Sequence, residues 1–190
     1  MKVRNLNASS AKTKRLIRKT FLELLHEKKQ LRKISVSELV RRAELDRSTF
    51  YAHYSDIFEI AEEMEVEIIR EVFDSHHISG KEDVYDFFRG MYDCFAVHHE
   101  EYAMLLASDE PIAFLRKLKQ MALDKVLENP VAIGSGTWQV LKLSLYVNGM
   151  MEEHIAYFRG QSRYAYEELK AGLLSVLAEL LQLPDMGETA

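Results

Sequence analysis

Cysteine, proline and glycine are scarce in this chain of 190 residues. The single Cys94 cannot form a disulfide within the chain, which is typical of a protein in a reducing compartment. Three Pro and eight Gly leave few points at which a helix must break. The most apolar late stretch, VLKLSLYV, is short and interrupted by Lys142, so the sequence argues against a membrane span. The basic start MKVRNLNASSAKTKR lacks the apolar run of a signal peptide, and we expect a cytoplasmic protein.

Positive charge is concentrated in the first third of the chain. Residues 1–54 hold 14 Lys and Arg against 5 Asp and Glu, a net charge of +9, whereas the remainder holds 11 against 25, a net of −14. These two values give the −5 of the whole chain. A basic segment on an acidic body is typical of a phosphate-binding module joined to a body that avoids phosphate. A solvent-exposed basic surface with no phosphate partner explains this charge distribution equally well.

Apolar residues recur at helical spacing along almost the whole chain, and no segment alternates as a strand does. We therefore predict an all-α fold of about nine helices, the first three short. The first helix should begin at Ser9 or Ser10 and end near His26. In the second, ISVSELVRRA, Ser35 and Glu38 have the spacing of a capping box.

The segment LDRSTFYAHYSD, residues 45–56, combines aromatic and hydroxyl side chains. We predict a third helix over residues 47–54 with Asp46 as its N-cap. Phe50 and Tyr54, four residues apart, should face inward. Two helices joined by a tight turn form a helix-turn-helix, which places its last helix in the major groove of DNA. The exposed positions, all able to reach phosphates or base edges, would be Arg47, Ser48, Thr49, Tyr51 and His53.

The stretch ISVSELVRRAELDRSTFYAHYSDIFEI resembles the helix-turn-helix signature of the TetR family of bacterial transcriptional regulators. Its TFYAHY run corresponds to the most characteristic segment of that family. The resemblance implies a helix-turn-helix DNA-binding domain over residues 1–56 and a helical effector-binding and dimerisation domain over residues 57–190. It implies a homodimeric repressor that binds a palindromic operator in double-stranded DNA.

The resemblance also assigns individual contacts. It implies that Tyr51 and His53 touch the phosphate backbone. The side chains closest to base edges would be Arg47, Ser48 and Thr49. Ser35 and Ser37, near the start of the second helix, would also meet phosphates.

Two positions depart from the family pattern. Glu44 stands where the turn usually carries Gly, and a left-handed conformation there would cost a residue with a side chain about 1 kcal/mol. Ile57 stands where the family often places a Lys that meets a phosphate. Asp56 and Glu59 repeat the capping-box spacing and predict the start of a fourth helix.

The C-terminal body resembles the family more loosely. YAMLLASDEPIAFLRKLKQ and LYVNGMMEEHIAYFRG are similar to regulators of dihydroxyacetone kinase operons. The predicted helices at residues 137–158 and 164–181 are apolar over more than one face, so both sides must be buried. In the family these two helices are buried in a four-helix bundle formed by two subunits. The alternative is a monomer in which both helices are buried within the single chain.

Aromatic and methionine side chains of the middle helices fit either a core or a cavity for a small-molecule effector. Packing in a hydrophobic core explains these side chains equally well. The alternative to a regulator controlled by a small-molecule effector is a regulator that responds to a protein partner or binds DNA constitutively. The predicted pocket residues are Met64, Ile68, Phe87, Met91, Phe95, Met121, Trp138, Tyr146 and Met150.

The remaining signals favour neither a metal site nor an enzyme. In the pairs His76–His77 and His98–His99, adjacent residues point in different directions on a helix, so neither pair chelates well. Cys94 has no basic neighbour to lower its pKa and is expected to be a buried packing residue. No nucleophile motif, Gly-rich phosphate loop or acid–base pair is present, so we expect no cofactor and no catalysis.

Overall fold

Nine α-helices make up the part of the chain that the structure describes. A computed structural model describes residues 6–73, 77–106, 112–128 and 136–183. The helices are α1 Leu6–Lys28, α2 Val36–Arg42, α3 Arg47–Tyr51, α4 Ile57–Phe73, α5 Lys81–Val97, α6 His99–Leu106, α7 Ile112–Leu127, α8 Thr137–Phe158 and α9 Tyr166–Leu181. No strand occurs within the described ranges, so the predicted all-α fold of about nine helices is confirmed. Among these helices, none combines the length and apolar character that crossing a membrane requires.

The N-terminal helices pack around side chains that belong to the same hydrophobic core as those of the later helices. Helix α1 packs against α2, α4 and α6, and α2 packs against α3. Phe21 of α1, Leu39 of α2 and Phe50 of α3 are fully buried at the centre. The apolar residues of α1 recur three and four positions apart, which places them on one side of the helix.

Helix α3 ends earlier than predicted. It stops at Tyr51 because the amides of His53 and Tyr54 both donate to the carbonyl of Phe50, at 2.9 and 3.0 Å, which closes the helix as a turn. Helix α1 is longer than predicted at both ends, beginning at Leu6 and ending at Lys28.

The predicted capping box of α2 is half formed. The Ser35 hydroxyl oxygen accepts a hydrogen bond of 3.2 Å from the Glu38 amide, as expected of an N-cap. The Glu38 carboxylate binds the Lys28 ammonium, which the end of α1 brings to it. A charge-assisted bond of this kind is stronger than the neutral amide contact of the box. Asp46 occupies the N-cap position of α3, but its side chain makes no capping hydrogen bond.

The start of α4 is capped by two acidic side chains. The Asp56 carboxylate accepts from the Glu59 amide at 2.9 Å, as predicted. The Glu59 carboxylate reaches the amide and hydroxyl of Ser55, one residue before the position that a capping box requires. Both carboxylates therefore lie at the positive end of the helix dipole.

Hydrogen bonds between tyrosines and backbone tie the C-terminal helices together. The Tyr166 hydroxyl of α9 donates to the carbonyl of Tyr92 in α5 at 2.7 Å. The Tyr146 hydroxyl of α8 donates to the carbonyl of Leu173 in α9 at 3.1 Å and is also hydrogen-bonded to the Tyr92 hydroxyl. These contacts fix α5, α8 and α9 relative to one another.

Candidate nucleic-acid interface

Helix α3 has a packed side and an open side. Phe50 and Tyr54 are buried, as predicted, and their rings lie 6.1 Å apart. Tyr51 is 55% exposed, and its ring meets Phe50 edge to face at 5.4 Å between centroids. Because Phe50 is fixed in the core, this contact restricts the Tyr51 ring although more than half of the side chain is exposed.

The other predicted contact residues of this segment divide by exposure. Arg47 and Ser48 are exposed, whereas Thr49 and His53 are half-buried. All of them lie around the same short helix and the turn that follows it. A helix that packs on one side and carries hydroxyl, phenol, imidazole and guanidinium groups on the other can dock against a phosphate-lined groove.

The N-terminal ends of α2 and α3 are connected by two residues that were predicted to contact DNA. A guanidinium nitrogen of Arg47 donates to the Ser37 hydroxyl oxygen. Ser35, exposed at the N-cap of α2, accepts a hydrogen bond with its hydroxyl oxygen and keeps its own proton for an acceptor such as phosphate. The two serines and the arginine thus form a polar group at one end of the helix pair.

The turn between α2 and α3 adopts the left-handed conformation considered for Glu44. Its φ is 53°, and the amide of Leu45 donates to the carbonyl of Val40 at 2.9 Å. The Glu44 amide donates to the carbonyl of Arg41 at 3.4 Å, which completes a Schellman motif. A left-handed backbone, which glycine adopts most easily, is therefore occupied here by a residue with a side chain and a negative charge.

Ile57 has no access to a phosphate. Its side chain is only 4% exposed and belongs to the core beneath α4. The neighbouring capping carboxylates of Asp56 and Glu59 are exposed. The start of α4 is therefore apolar inside and acidic outside, unlike the basic start that the family often has.

Several basic side chains of the N-terminal helices are engaged within the molecule. Arg18 pairs with Glu67 at 2.6 Å, and Arg42 pairs with Glu27 at 2.7 Å. Lys14 and Lys28 also bind carboxylates. Part of the positive charge of residues 1–54 therefore joins α1 to α2 and α4, whereas Arg47 at the start of α3 is exposed.

The predicted pocket residues are placed in two different environments. Most of them are buried in the hydrophobic core, namely Met64, Ile68, Phe87, Met91, Phe95, Tyr146 and Met150. Met121 is half-buried and packs against that core. Trp138 differs, because it is 74% exposed on α8.

Helices α8 and α9 share an exposed apolar surface, which we call the α8–α9 face. It is a shallow groove whose apolar part consists of Leu145 and Gly149 on α8 and Leu173, Val176 and Leu180 on α9. The charged residues Lys142, Glu153 and Glu179 also line it. Leu145 is 63% exposed. Trp138 and Leu141, which lie at helical spacing from Leu145 on α8, are also exposed.

Sequence reasoning missed one convergence of side chains. Glu71 at the end of α4, Cys94 near the end of α5 and His98 directly after α5 bring a carboxylate, a thiol and an imidazole together. Cys94 is buried as predicted, and burial raises the pKa of its thiol to about 11. The signal that could have found part of the group is the four-residue spacing of Cys94 and His98, which places both on one side of a helix. His98 of the second adjacent histidine pair belongs to this group, and His76 of the first pair lies outside the described residues.

No protein-family model matches the chain, and no curated protein matches it significantly.

Proposed function

We propose that this protein is a DNA-binding transcriptional regulator of the TetR type, acting as a homodimer. The observation that carries the proposal is the division of α3 into a buried side, Phe50 and Tyr54, and an exposed side that holds Arg47, Ser48 and Tyr51. Helix-turn-helix proteins need this division, because the last helix must pack on the domain while its other side meets base edges.

The polar group at the N-terminal ends of α2 and α3 supports a groove-facing orientation. Ser35 and Ser37 can donate to phosphate oxygens, and Arg47 lies beside Ser37. Contacts to phosphates fix the register of a protein on DNA, and contacts to base edges give the specificity. We assign Tyr51 and His53 to the phosphates, and Arg47, Ser48 and Thr49 to the bases.

The α8–α9 face supports a dimer. An exposed apolar surface of this kind on a single chain is typical of an interface. A second copy related by a two-fold axis would cover it with the same residues and form a four-helix bundle. Two reading helices then face adjacent major grooves, as a palindromic operator requires.

The proposed regulation is a population shift. An effector bound in the body favours a spacing of the two reading helices that no longer fits the operator, and the repressor is released. A second candidate is DNA binding without a small-molecule effector, or under the control of a partner protein. The tight burial of Phe87, Met91 and Phe95 in the core favours this second form. Thermal-shift screening with metabolites separates the two, because only the first predicts a stabilising small molecule.

The test begins with selection of the preferred sequence from random double-stranded DNA, followed by titration at fixed salt. We expect a palindromic site and a dissociation constant that rises steeply with salt. Tyr51→Ala, and Arg47→Ala combined with Thr49→Ala, should each weaken binding at least about tenfold. Circular dichroism should show unchanged helix content.

Arg116→Ala is the matched control, because it removes an exposed positive charge from α7 in the body. It should leave the affinity unchanged. Equal affinity of the wild-type chain and the Tyr51→Ala and Arg47→Ala/Thr49→Ala variants would overturn the assignment of α3 as the reading helix.

A further inference from the structure

Three potential metal ligands of different chemistry meet where α4, α5 and α6 come together. The ligand atoms of Glu71, Cys94 and His98 all lie within 4.8 Å of one another. The His98 Nε2 atom is 3.1 Å from a carboxylate oxygen of Glu71. A thiolate, an imidazole and a carboxylate are the ligand types that zinc accepts in proteins.

The spacing of these atoms is close to that of a bound zinc ion. Bonds of about 2.0–2.1 Å to nitrogen or oxygen and about 2.3 Å to sulfur place tetrahedral ligand atoms roughly 3.3–3.6 Å apart. The imidazole–carboxylate distance of 3.1 Å is slightly shorter than this range, and the thiol sulfur lies within 4.8 Å of both other ligand atoms, so small shifts of the side chains would admit the ion. The His98 amide donates to the Cys94 carbonyl at 3.1 Å, so the two ligands of α5 keep a fixed helical spacing.

The neighbours of the three side chains suit a metal centre. The Tyr102 hydroxyl lies 3.3 Å from the Cys94 sulfur and can donate to a thiolate. A carboxylate oxygen of Glu101 lies 4.0 Å from His98 Nδ1, the ring nitrogen that points away from Glu71. Zinc-binding histidines commonly donate their second ring N–H to a carboxylate. At 4.0 Å, Glu101 is too far for such a hydrogen bond and offers a nearby negative charge instead.

The group also has access from solvent. A small cavity beside it is lined by Arg18, Glu67, Glu71, His98 and Glu101. Arg18, which also lines the cavity, is paired with Glu67 at 2.6 Å, which leaves the carboxylates of Glu71 and Glu101 to favour a positive ion. Cys94 is buried at the inner side, whereas Glu71 is exposed and His98 half-buried. A water molecule can therefore supply a fourth ligand.

From this geometry we propose that Glu71, Cys94 and His98 form a zinc-binding site that joins the end of α4 to the end of α5. The ion replaces the thiol proton, which is released to solvent, and is held by one sulfur, one nitrogen and one oxygen. Tyr102 orients the Cys94 sulfur, and the Glu101 carboxylate adds negative charge beside His98; neither binds the ion. The zinc site does not depend on the proposed DNA binding.

The alternative is that His98 and Glu71 form an ordinary surface ion pair and Cys94 is packing alone. The two alternatives predict different absorption spectra after addition of cobalt(II), because the spectrum of this ion depends on its ligands. The full-length chain, reduced and freed of metal with a chelator, is titrated with cobalt(II) and then with zinc(II). We expect a thiolate-to-cobalt charge-transfer band, the visible bands of a tetrahedral ion, displacement of both by zinc, and a zinc-dependent rise in melting temperature.

Three single substitutions identify the ligands. Cys94→Ser should remove the charge-transfer band, and His98→Gln and Glu71→Gln should each weaken zinc binding at least about a hundredfold. The last two side chains lie at the surface, so these variants should fold even where the buried Cys94 tolerates no change. His77→Gln, an exposed histidine outside the group, is the matched control and should bind zinc as the wild type does. Absence of the charge-transfer band in the wild type, or equal zinc affinity in the wild type and His98→Gln, would overturn the site.

Discussion

The Tyr54 hydroxyl donates a hydrogen bond of 2.6 Å to the carboxylate of Glu63, and this bond connects the turn after α3 to α4. Lys14 of α1 binds the same carboxylate, so three parts of the N-terminal region meet at one side chain. Partial burial alone would raise the pKa of Glu63, but the bonds from Lys14 and Tyr54 outweigh it and hold the pKa below its ordinary value. The orientation of α3 relative to α4 is therefore fixed by polar contacts as well as by the core.

Tyr54→Phe should lower the free energy of unfolding by about 1–2 kcal/mol. The phenyl ring keeps its packing, whereas the partly buried Glu63 carboxylate loses one of its two donors. Urea denaturation followed by circular dichroism measures the change. Tyr51→Phe is the matched control: it removes a hydroxyl from an exposed ring and should leave stability unchanged. Equal stability of Tyr54→Phe and the wild type would contradict the role given to this bond.

Glu44→Gly should raise the free energy of unfolding by about 1 kcal/mol. The residue has a φ of 53°, a conformation that glycine adopts without the steric cost of a side chain. Thermal and urea denaturation measure the gain.

Glu44→Ala separates the backbone effect from the charge effect. It keeps the steric cost, so it should not stabilise the chain as Glu44→Gly does, but it removes the carboxylate beside the reading helix. If the proposed DNA binding is correct, both variants should bind DNA more tightly than the wild type, because each removes a negative charge near phosphates. A Glu44→Ala chain as stable as Glu44→Gly would show that backbone strain contributes nothing here.

Local sequence signals predicted the helices that have clear breaks on both sides. Helix α8 has the predicted bounds, Thr137–Phe158, because Gly136 precedes it and Gly160, with a φ of 69°, follows it. The inward direction of Phe50 and Tyr54 could also be predicted, because it follows from helical spacing alone.

Contacts between distant segments could not be predicted in the same way. The capping-box rule considers only neighbouring residues, so it could not show that Lys28 arrives from α1 to bind Glu38. Glu71 and Cys94 are brought together by the packing of α4 against α5, and nothing in the spacing of the sequence indicates that contact. Periodicity likewise placed Trp138 among the pocket residues, although its helix presents it to solvent.

Leu145→Glu should dissociate the proposed dimer without unfolding the chain. The side chain is largely exposed in the single chain but would be buried by a second copy, where an unpaired carboxylate is costly. Sedimentation equilibrium should give the mass of a dimer for the wild type and of a monomer for the variant. Val97→Glu is the matched control, since Val97 is 77% exposed at the end of α5, outside the α8–α9 face. A monomeric wild type, or a dimeric Leu145→Glu chain, would contradict the interface.

His154 should make the stability of the protein fall as the pH decreases below neutrality. Its ring is buried against Tyr92, with centroids 5.1 Å apart, and its Nδ1 donates to the carbonyl of Met150 at 2.8 Å. Its Nε2 has no hydrogen-bond partner among the described residues. Burial therefore lowers the pKa of His154 from an ordinary 6.5 to about 4 in the folded state.

The lower pKa of His154 in the folded state determines how stability changes with pH. Between pH 6.5 and about 4 the unfolded chain binds a proton at His154 that the folded chain does not bind. Protons thus favour the unfolded state in this interval, and up to about 3 kcal/mol of stability is lost as the pH falls through it. His154→Phe preserves a ring against Tyr92 and cannot be protonated. Urea midpoints measured from pH 7 to pH 5 should therefore fall less in His154→Phe than in the wild type, while His77→Gln, which changes an exposed histidine, should follow the wild type. Parallel curves for His154→Phe and the wild type would show that the buried imidazole does not set the acid sensitivity.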